Sequence, residues 1–203
     1  MKVICIGRNY LKHIQELKNK KNDSPVIFLK PETSIIKKNQ PFFIPDFSIN
    51  IHHELEFLVK INRVGKSISA EFAHKYYDEI SIGIDFTARD VQDKLKMSSL
   101  PWEKSKSFDG SALIGKWINK KKFKDISNIN FHMTNNSKVV QNGNTSEMIW
   151  NIDELISEVS KFFTLKIGDV IFTGTPAGVA KVNEGDHLIG FMDGEELFKL
   201  KIK

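Results

Sequence analysis

The chain has 203 residues, of which 40% are hydrophobic and 27% are charged, and its formal net charge is +5. This length suits one globular domain with a sizeable core, and no linker, repeat or low-complexity segment divides the chain. The lysines are scattered along the sequence, so the charge does not indicate a nucleic-acid partner and instead favours attraction of a small anionic ligand.

The apolar runs and the cysteine content narrow the cellular setting. Every apolar run is short and interrupted by charge, so no transmembrane helix is predicted, and the first apolar segment is too short for a signal peptide. The single cysteine, Cys5, has no intramolecular partner for a disulfide and lies in an apolar segment, which favours a buried core residue over a nucleophile. We therefore expect a cytoplasmic protein with no membrane partner and no nucleic-acid partner.

Apolar alternation and β-branched content predict strands at about 2–6, 26–30, 54–61, 79–85, 128–134, 137–141, 169–173, 187–192 and 196–202. Helices are predicted at about 10–20, 71–77, 87–98 and 152–163. The last helix has Asn151 as its N-cap and Glu154 three residues later, the pattern of a capping box. Because strands outnumber helices and do not alternate regularly with them, we predict an α+β fold.

The first predicted helix carries a histidine and a glutamate three residues apart, His13 and Glu16. A carboxylate that holds an imidazole in one tautomer makes it a better general base. Taken alone, this spacing is more typical of an exposed helical pair. A polar, lysine-rich segment follows at 18–24, so residues of about 10–24 could form a mobile lid.

Three carboxylates come next in the chain. Glu54 and Glu56 lie two residues apart in a predicted strand, and Asp85 ends the following one. Residues i and i+2 of a strand share a face, where two uncompensated like charges are costly. Three carboxylates without a nearby cysteine are a ligand set for Mg²⁺ or Mn²⁺. The alternating pair alone is more typical of an edge strand with its acidic face in water, and that alternative stays open.

The helix predicted at 87–98 begins just after the third carboxylate, with Thr87 as N-cap and Asp90 three residues on. Its positive N-terminal end would face the carboxylates and any bound anion. Arg89 and Gln92 lie three residues apart and share one face of this helix.

Two further segments could contribute to a site. Glycines and a proline around Thr175 predict a tight turn after a strand, which is either an anion-binding loop or an ordinary turn. Lys104 and Lys106 follow Pro101-Trp102. A lysine near a metal could hold a carboxylate as a point charge, although either lysine alone is more typical of the surface.

The order of these motifs resembles the fumarylacetoacetate hydrolase family, most closely its small acylpyruvase and oxaloacetate decarboxylase type. The motifs are G-R-N-Y-x-x-H-x-x-E from residue 7, Lys30-Pro31, H-H-E-L-E from residue 52, D-x-T-A-R-D-V-Q from residue 85, P-W-x-x-x-K-x-F from residue 101, N-G-N-T-x-x-M from residue 142 and G-D-x-I-x-T-G-T-P-x-G-V from residue 168. They span nearly the whole chain, so the resemblance implies that residues 1–203 form a single catalytic domain.

The resemblance implies a mixed, multilayered β-roll with a few short helices, and a homodimer. It implies Mg²⁺ or Mn²⁺ held by residues matching Glu54, Glu56 and Asp85. It also implies a catalytic His13–Glu16 pair on a lid helix and an active-site lysine at Lys106. The substrate-binding positions it implies are Arg8, Arg89, Gln92 and Thr175.

The implied activity is metal-dependent C–C hydrolysis or lysis of 2,4-diketo or β-keto acids, by acylpyruvate hydrolysis or oxaloacetate decarboxylation through a stabilised enolate. An oxaloacetate tautomerase or a 2-hydroxyhepta-2,4-diene-1,7-dioate isomerase is the alternative for the same site. A non-catalytic basic binding protein is the alternative of another class. The sequence does not rank hydrolysis, decarboxylation and tautomerisation.

Overall fold

The computed structural model describes residues 1–18 and 20–203. Within them the strands are β1 (Val3–Gly7), β2 (Val26–Lys30), β3 (Ile51–His53), β4 (Leu55–Ile61), β5 (Tyr77–Asp85), β6 (Thr87–Ala88), β7 (Ala112–Ile114), β8 (Ile118–Asn119), β9 (Asn130–Asn135), β10 (Lys138–Asn144), β11 (Val170–Phe172), β12 (Ala180–Lys181), β13 (His187–Met192) and β14 (Glu195–Lys201). The α-helices are α1 (Leu11–Glu16), α2 (Ala70–Ala73), α3 (Arg89–Met97), α4 (Glu103–Lys106) and α5 (Ile152–Phe162). None of these helices is long and apolar enough to cross a membrane.

The largest sheet has the strand order β2-β1-β11-β4-β5-β7, with β8 paired to β5. Strand β1 runs parallel to β11, whereas β4 is antiparallel to both of its neighbours, β11 and β5. A four-stranded sheet (β10-β9-β13-β14) and a three-stranded sheet (β12-β3-β6) complete the fold. The predicted α+β class, with mostly strands and a few short helices, is confirmed.

Side chains cover both faces of the largest sheet. Ile4 of β1 belongs to the main core, which includes Phe131 of the four-stranded sheet and Leu155 of α5. Cys5, the next residue along β1, belongs to a second apolar cluster, because successive side chains of a strand point to opposite faces. Burial and the Asp85 carboxylate raise the pKa of Cys5 well above its ordinary value, so this thiol acts as a core residue, as expected.

Helix α5 forms as predicted. The Asn151 side chain accepts a hydrogen bond from the Glu154 amide at 3.0 Å, and the Glu154 carboxylate accepts one from the Asn151 amide at 2.8 Å. The other helix predictions are too long. Helix α2 ends at Ala73, because the buried Tyr77 already begins β5. Helix α1 covers only Leu11–Glu16 of the helix predicted at 10–20. Residue 19, which is part of that prediction and of the predicted lid, lies outside the described residues.

The predicted start of the 87–98 helix is wrong. Thr87 and Ala88 form β6 and pair with His52 and Ile51 of β3, so α3 begins at Arg89. The N-cap is Ala88, and no side chain in the described part of the chain caps this helix. Tertiary pairing of the backbone therefore overrides the local capping signal, and the Thr87 hydroxyl becomes available to the site described below.

Candidate metal and substrate site

The three carboxylates come together where β4 begins and β5 ends. Glu54 immediately precedes β4, Glu56 lies in β4, and Asp85 ends β5. The Asp85 amide donates to the Glu54 carbonyl at 2.9 Å, which places these two residues opposite each other. One carboxylate oxygen from each residue lies within 4.8 Å of the others, and all three side chains are buried. Because β4 is flanked by β11 and β5, the edge-strand alternative does not describe this pair.

Basic side chains compensate part of this buried negative charge. Lys106 Nζ donates to Glu54 Oε2 at 2.8 Å, to Asp85 Oδ2 at 2.6 Å and to Thr87 Oγ1 at 2.6 Å. A guanidinium nitrogen of Arg89 donates to Glu54 Oε1. Lysines are rarely buried unless they are paired. Lys106 is therefore the buried partner of two carboxylates and not a solvated surface lysine.

A second buried lysine lies behind the cluster. Lys30 Nζ is 2.8 Å from Asp85 Oδ1, but it directs its hydrogen bonds to the Lys106 carbonyl and to Ser111. Asp85 Oδ1 is consequently buried within an ion pair but receives no hydrogen bond from the described residues. This oxygen retains lone pairs that a cation could use.

The two glutamates have opposite electrostatic environments. Burial raises the pKa of Glu54, but Lys106 and Arg89 oppose it and bring that pKa well below its ordinary value. Burial and the Asp85 carboxylate raise the pKa of Glu56 well above its ordinary value, despite Lys106. The described residues thus leave one carboxylate of the cluster short of positive charge. Hard oxygen donors with this deficit fit Mg²⁺ or Mn²⁺.

The turn after β11 supports Glu56. The Gly174 amide donates to Glu56 Oε2 at 2.7 Å. Gly174 has a φ of +102°, and a Cβ there would lie 2.8 Å from the Cβ of Asn9, so only glycine fits without strain. The next residue, Thr175, accepts a hydrogen bond at 2.9 Å from Gln141 Nε2. Gln141 also accepts from the Leu55 amide at 2.9 Å and therefore joins this turn to the start of β4.

Helix α1 brings the predicted His–Glu pair to the same place. His13 is buried, its Nδ1 lies 3.3 Å from Glu16 Oε2, and Glu16 Oε1 accepts from the Gly178 amide at 3.0 Å. Burial lowers the pKa of His13, against the opposing effects of Glu54 and Glu16. The imidazole is thus neutral at pH 7 and can accept a proton.

All of these groups surround one small cavity of about 40 Å³. Its walls include Arg8, His13, Glu54, Glu56, Asp85, Arg89, Gln92, Lys96, Trp102, Lys106 and Thr175. Every predicted site residue lines this cavity except Glu16, which contacts it through His13. A larger cleft of about 450 Å³ is lined by Leu11 and Lys12 of α1 and includes no member of the carboxylate cluster.

On the helix side of the cavity, Arg89 Nη1 donates to Gln92 Oε1 at 2.7 Å, as expected for residues sharing a helical face. Arg89 also donates through Nε to His52 Nδ1 at 3.4 Å. Burial and Arg89 lower the pKa of His52 to about 4, so it remains a neutral acceptor. Arg89 is thereby held between Glu54, Gln92 and His52.

Sequence reasoning did not assign Lys30, Gln141 or Lys96 to this site. Lys30 was named only within the Lys30-Pro31 motif, and a lysine at the end of an apolar strand gives no local signal of burial, because most lysines are exposed. Gln141 and Lys96 gave no local signal, because their roles depend on contacts with residues far away in the chain.

Residues 2–197 match the family model of the fumarylacetoacetate (FAA) hydrolase C-terminal domain. The chain therefore belongs to this family, as the motifs had implied. It is similar to the mitochondrial oxaloacetate tautomerase of Bos taurus, with 38% identity over 201 residues that cover 99% of this chain and 91% of that protein. It is also similar to an oxaloacetate tautomerase of Escherichia coli, with 41% identity over 197 residues that cover 97% and 90% of the two chains.

Among solved structures, the chain resembles fumarylpyruvate hydrolase from Pseudomonas aeruginosa, which was crystallised with Mn²⁺ and pyruvate. The TM-score is 0.93 at 30% identity, and the match covers 100% of this chain and 89% of that one. The predicted β-roll of the fumarylacetoacetate hydrolase type is thus confirmed.

Proposed function

We propose that this protein is a metal-dependent enzyme of β-keto and 2,4-diketo acids, and that its main reaction is keto–enol tautomerisation of oxaloacetate. The observation that carries the proposal is the buried cluster of three carboxylates, which shares one cavity with a neutral histidine and several cations. The tautomerase names of the two relatives support this choice of reaction over C–C cleavage.

The metal site would consist of Glu54, Glu56 and Asp85. Mg²⁺ or Mn²⁺ held there would supply Lewis-acid stabilisation of the negative charge that develops when a 2-keto acid enolises.

Lys106 would act as a fixed positive charge. Burial alone lowers the pKa of Lys106, but Asp85 and Glu54 raise it above its ordinary value, so this lysine stays protonated. It is therefore unsuited to accept a proton from the substrate. Its hydrogen bonds to Glu54, Asp85 and Thr87 hold the two carboxylates in position instead.

His13 would move the proton. Its Nδ1 faces Glu16, which leaves Nε2 as the acceptor for a proton from substrate C3. Return of that proton to the 2-oxygen of the resulting enolate gives the enol, and return to C3 gives the keto form. Arg8, Arg89, Gln92 and Thr175 line the same cavity and would orient the bound acid.

Hydrolysis of acylpyruvates is the second candidate. It is favoured by the held His13–Glu16 pair and by the likeness to fumarylpyruvate hydrolase. In that reaction, the imidazole would take a proton from a water molecule that attacks the C4 carbonyl, and the C3–C4 bond would break to release the pyruvate enolate. Oxaloacetate decarboxylation would release the same pyruvate enolate together with CO₂, and dienedioate isomerisation would pass through the dienolate of the intact substrate. Neither reaction needs attack by water.

We also propose that residues of about 10–24 form a lid on a single catalytic domain. Helix α1 directs His13 into the cavity, and Arg8 beneath it donates to Asn22 Oδ1 of the polar segment at 2.9 Å. A homodimer and a cytoplasmic location are part of the proposal. Apolar side chains exposed along one stretch, Phe43 at 66% and Ile49 at 81%, support a covered interface. The single buried cysteine suits a reducing compartment.

The decisive experiment supplies Mn²⁺ and follows both oxaloacetate tautomers, acetylpyruvate and fumarylpyruvate, with the products separated and Mn²⁺ alone as the background. We expect the fastest conversion for enol–keto exchange of oxaloacetate. Glu56→Gln should abolish every activity, whereas Glu79→Gln, which loses only the partly exposed pair with Lys60, should retain it. No acceleration above Mn²⁺ alone for any of these acids would refute the proposal.

A further inference from the structure

Lys96 lies on the face of α3 that forms one wall of the cavity. Arg89, Gln92 and Lys96 are spaced by three and four residues and all line it, as expected for one helical face. Lys96 lies two turns beyond Arg89, about 10 Å along the helix axis. Because helical side chains lean towards the N-terminus, Lys96 can line the same cavity as the carboxylate cluster from the far end of this helix face.

Within residues 1–18 and 20–203, no carboxylate forms an ion pair with Lys96, although the site's other lysines have such partners. The Lys96 ammonium instead lies 5.5 Å from the centre of the Trp102 ring, and the Arg8 guanidinium is 6.0 Å from the same ring. Burial and Arg89 lower the pKa of Lys96, with Asp93 opposing them in part. An anion beside Lys96 would favour the charged ammonium and so oppose the lowering of its pKa by burial and by Arg89.

The charges around the cavity indicate what that anion is. Among the described residues, four cationic side chains line it (Arg8, Arg89, Lys96 and Lys106) against the three carboxylates of the cluster. Arg89 and Lys106 are bound to those carboxylates, whereas Lys96 is at the far end of the helix face. With a divalent cation in place, the cavity has a clear excess of positive charge and favours a dianion over a monoanion.

We propose that Lys96 binds the distal carboxylate of the substrate and thereby selects dicarboxylic keto acids over diketo acids that end in a neutral acyl group. The proposal rests on the proposed function, which places the 2-keto acid head at Glu54, Glu56 and Asp85. Oxaloacetate and acetylpyruvate share that head and differ at the other end, a carboxylate in one and a methyl ketone in the other. Trp102 forms the apolar wall against which the lysine is held.

The first test compares Lys96→Met with Lys94→Met. Lys94 is exposed and lies in the same last turn of α3, so its replacement removes an equal charge from the same helix end. Loss of a charge-assisted hydrogen bond should raise the KM for oxaloacetate about tenfold to a hundredfold in Lys96→Met. The KM for acetylpyruvate should remain within about twofold. Lys94→Met should change neither value, and Lys96→Arg should recover most of the loss.

The second test measures binding without turnover, by calorimetric titration of the Mn²⁺-loaded protein with malate and with lactate. Both have a 2-hydroxy acid head, but only malate has a second carboxylate. The wild type should bind malate more tightly, and Lys96→Met should remove that preference while Mn²⁺ affinity and lactate affinity stay unchanged.

The outcomes separate this inference from the function on which it rests. Equal effects of Lys96→Met and Lys94→Met on oxaloacetate, or equal affinities of the wild type for malate and lactate, would overturn it. A preference for malate that depends on Lys96, in a protein that converts no keto acid, would support the subsite and refute the proposed reaction.

Discussion

Replacing Lys106 by methionine tests the electrostatic design of the site most directly. The substitution keeps the length of the side chain but removes three hydrogen bonds, to Glu54, Asp85 and Thr87. Both carboxylates are buried, so each would lose a cation without gaining water. Removing one partner of a buried ion pair costs about 3–5 kcal/mol. In a chain of this length, that loss corresponds to a fall in Tm of about 6–20 °C.

The assay is thermal unfolding in the presence of EDTA at pH 7.5 to 8. Lys104→Met is the matched control, because Lys104 lies in the same short helix, is exposed, and should change stability by less than about 0.5 kcal/mol. Saturating Mn²⁺ should narrow the difference between Lys106→Met and the wild type, because the cation replaces the lost positive charge. A Lys106→Met protein that melts within about 2 °C of the wild type in EDTA would refute the reasoning.

Four further predictions concern Glu56, His13 and the proposed lid. Glu56→Gln should abolish Mn²⁺ binding in calorimetry while leaving the metal-free Tm at pH 8 equal or higher, and a lower Tm would contradict the charge deficit. The pKa of Glu56 is raised above its unfolded value of 4.5, so between these two pKa values the metal-free folded state binds a proton that the unfolded state has released. The stability that this proton contributes should be lost as pH rises through the folded pKa. Mn²⁺ affinity should increase over the same range, because the metal needs the ionised carboxylate. His13→Ala should lower acylpyruvate hydrolysis by about a hundredfold to ten-thousandfold and affect decarboxylation less, and hydrolysis at the wild-type rate would end the assignment of the base. Oxalate added to the Mn²⁺ form should increase amide protection over 10–18 and 20–24, and unchanged exchange there would argue against a lid.

The features determined by sequence alone are those that depend on near neighbours in the chain. Helix α5 was predictable because its apolar spacing and its Asn151–Glu154 capping box lie within a few residues of one another. The spacing of Glu54 and Glu56 and the position of Asp85 likewise identified the candidate ligands. Only the order of the motifs along the chain indicated that these residues form one site. Each motif alone was at least as consistent with an ordinary surface feature.

Tertiary structure decided how these residues are paired and buried. Because β6 pairs with β3, α3 begins at Arg89 and not at Thr87, and the Thr87 hydroxyl accepts a hydrogen bond from Lys106. The central position of β4 buried the acidic pair, and packing brought Lys30 and Lys96 to the same cavity region from distant parts of the chain. A pattern of near neighbours predicts which backbone bonds form locally. The partner of a buried charge depends on strand order and register, which are set by contacts across the whole chain.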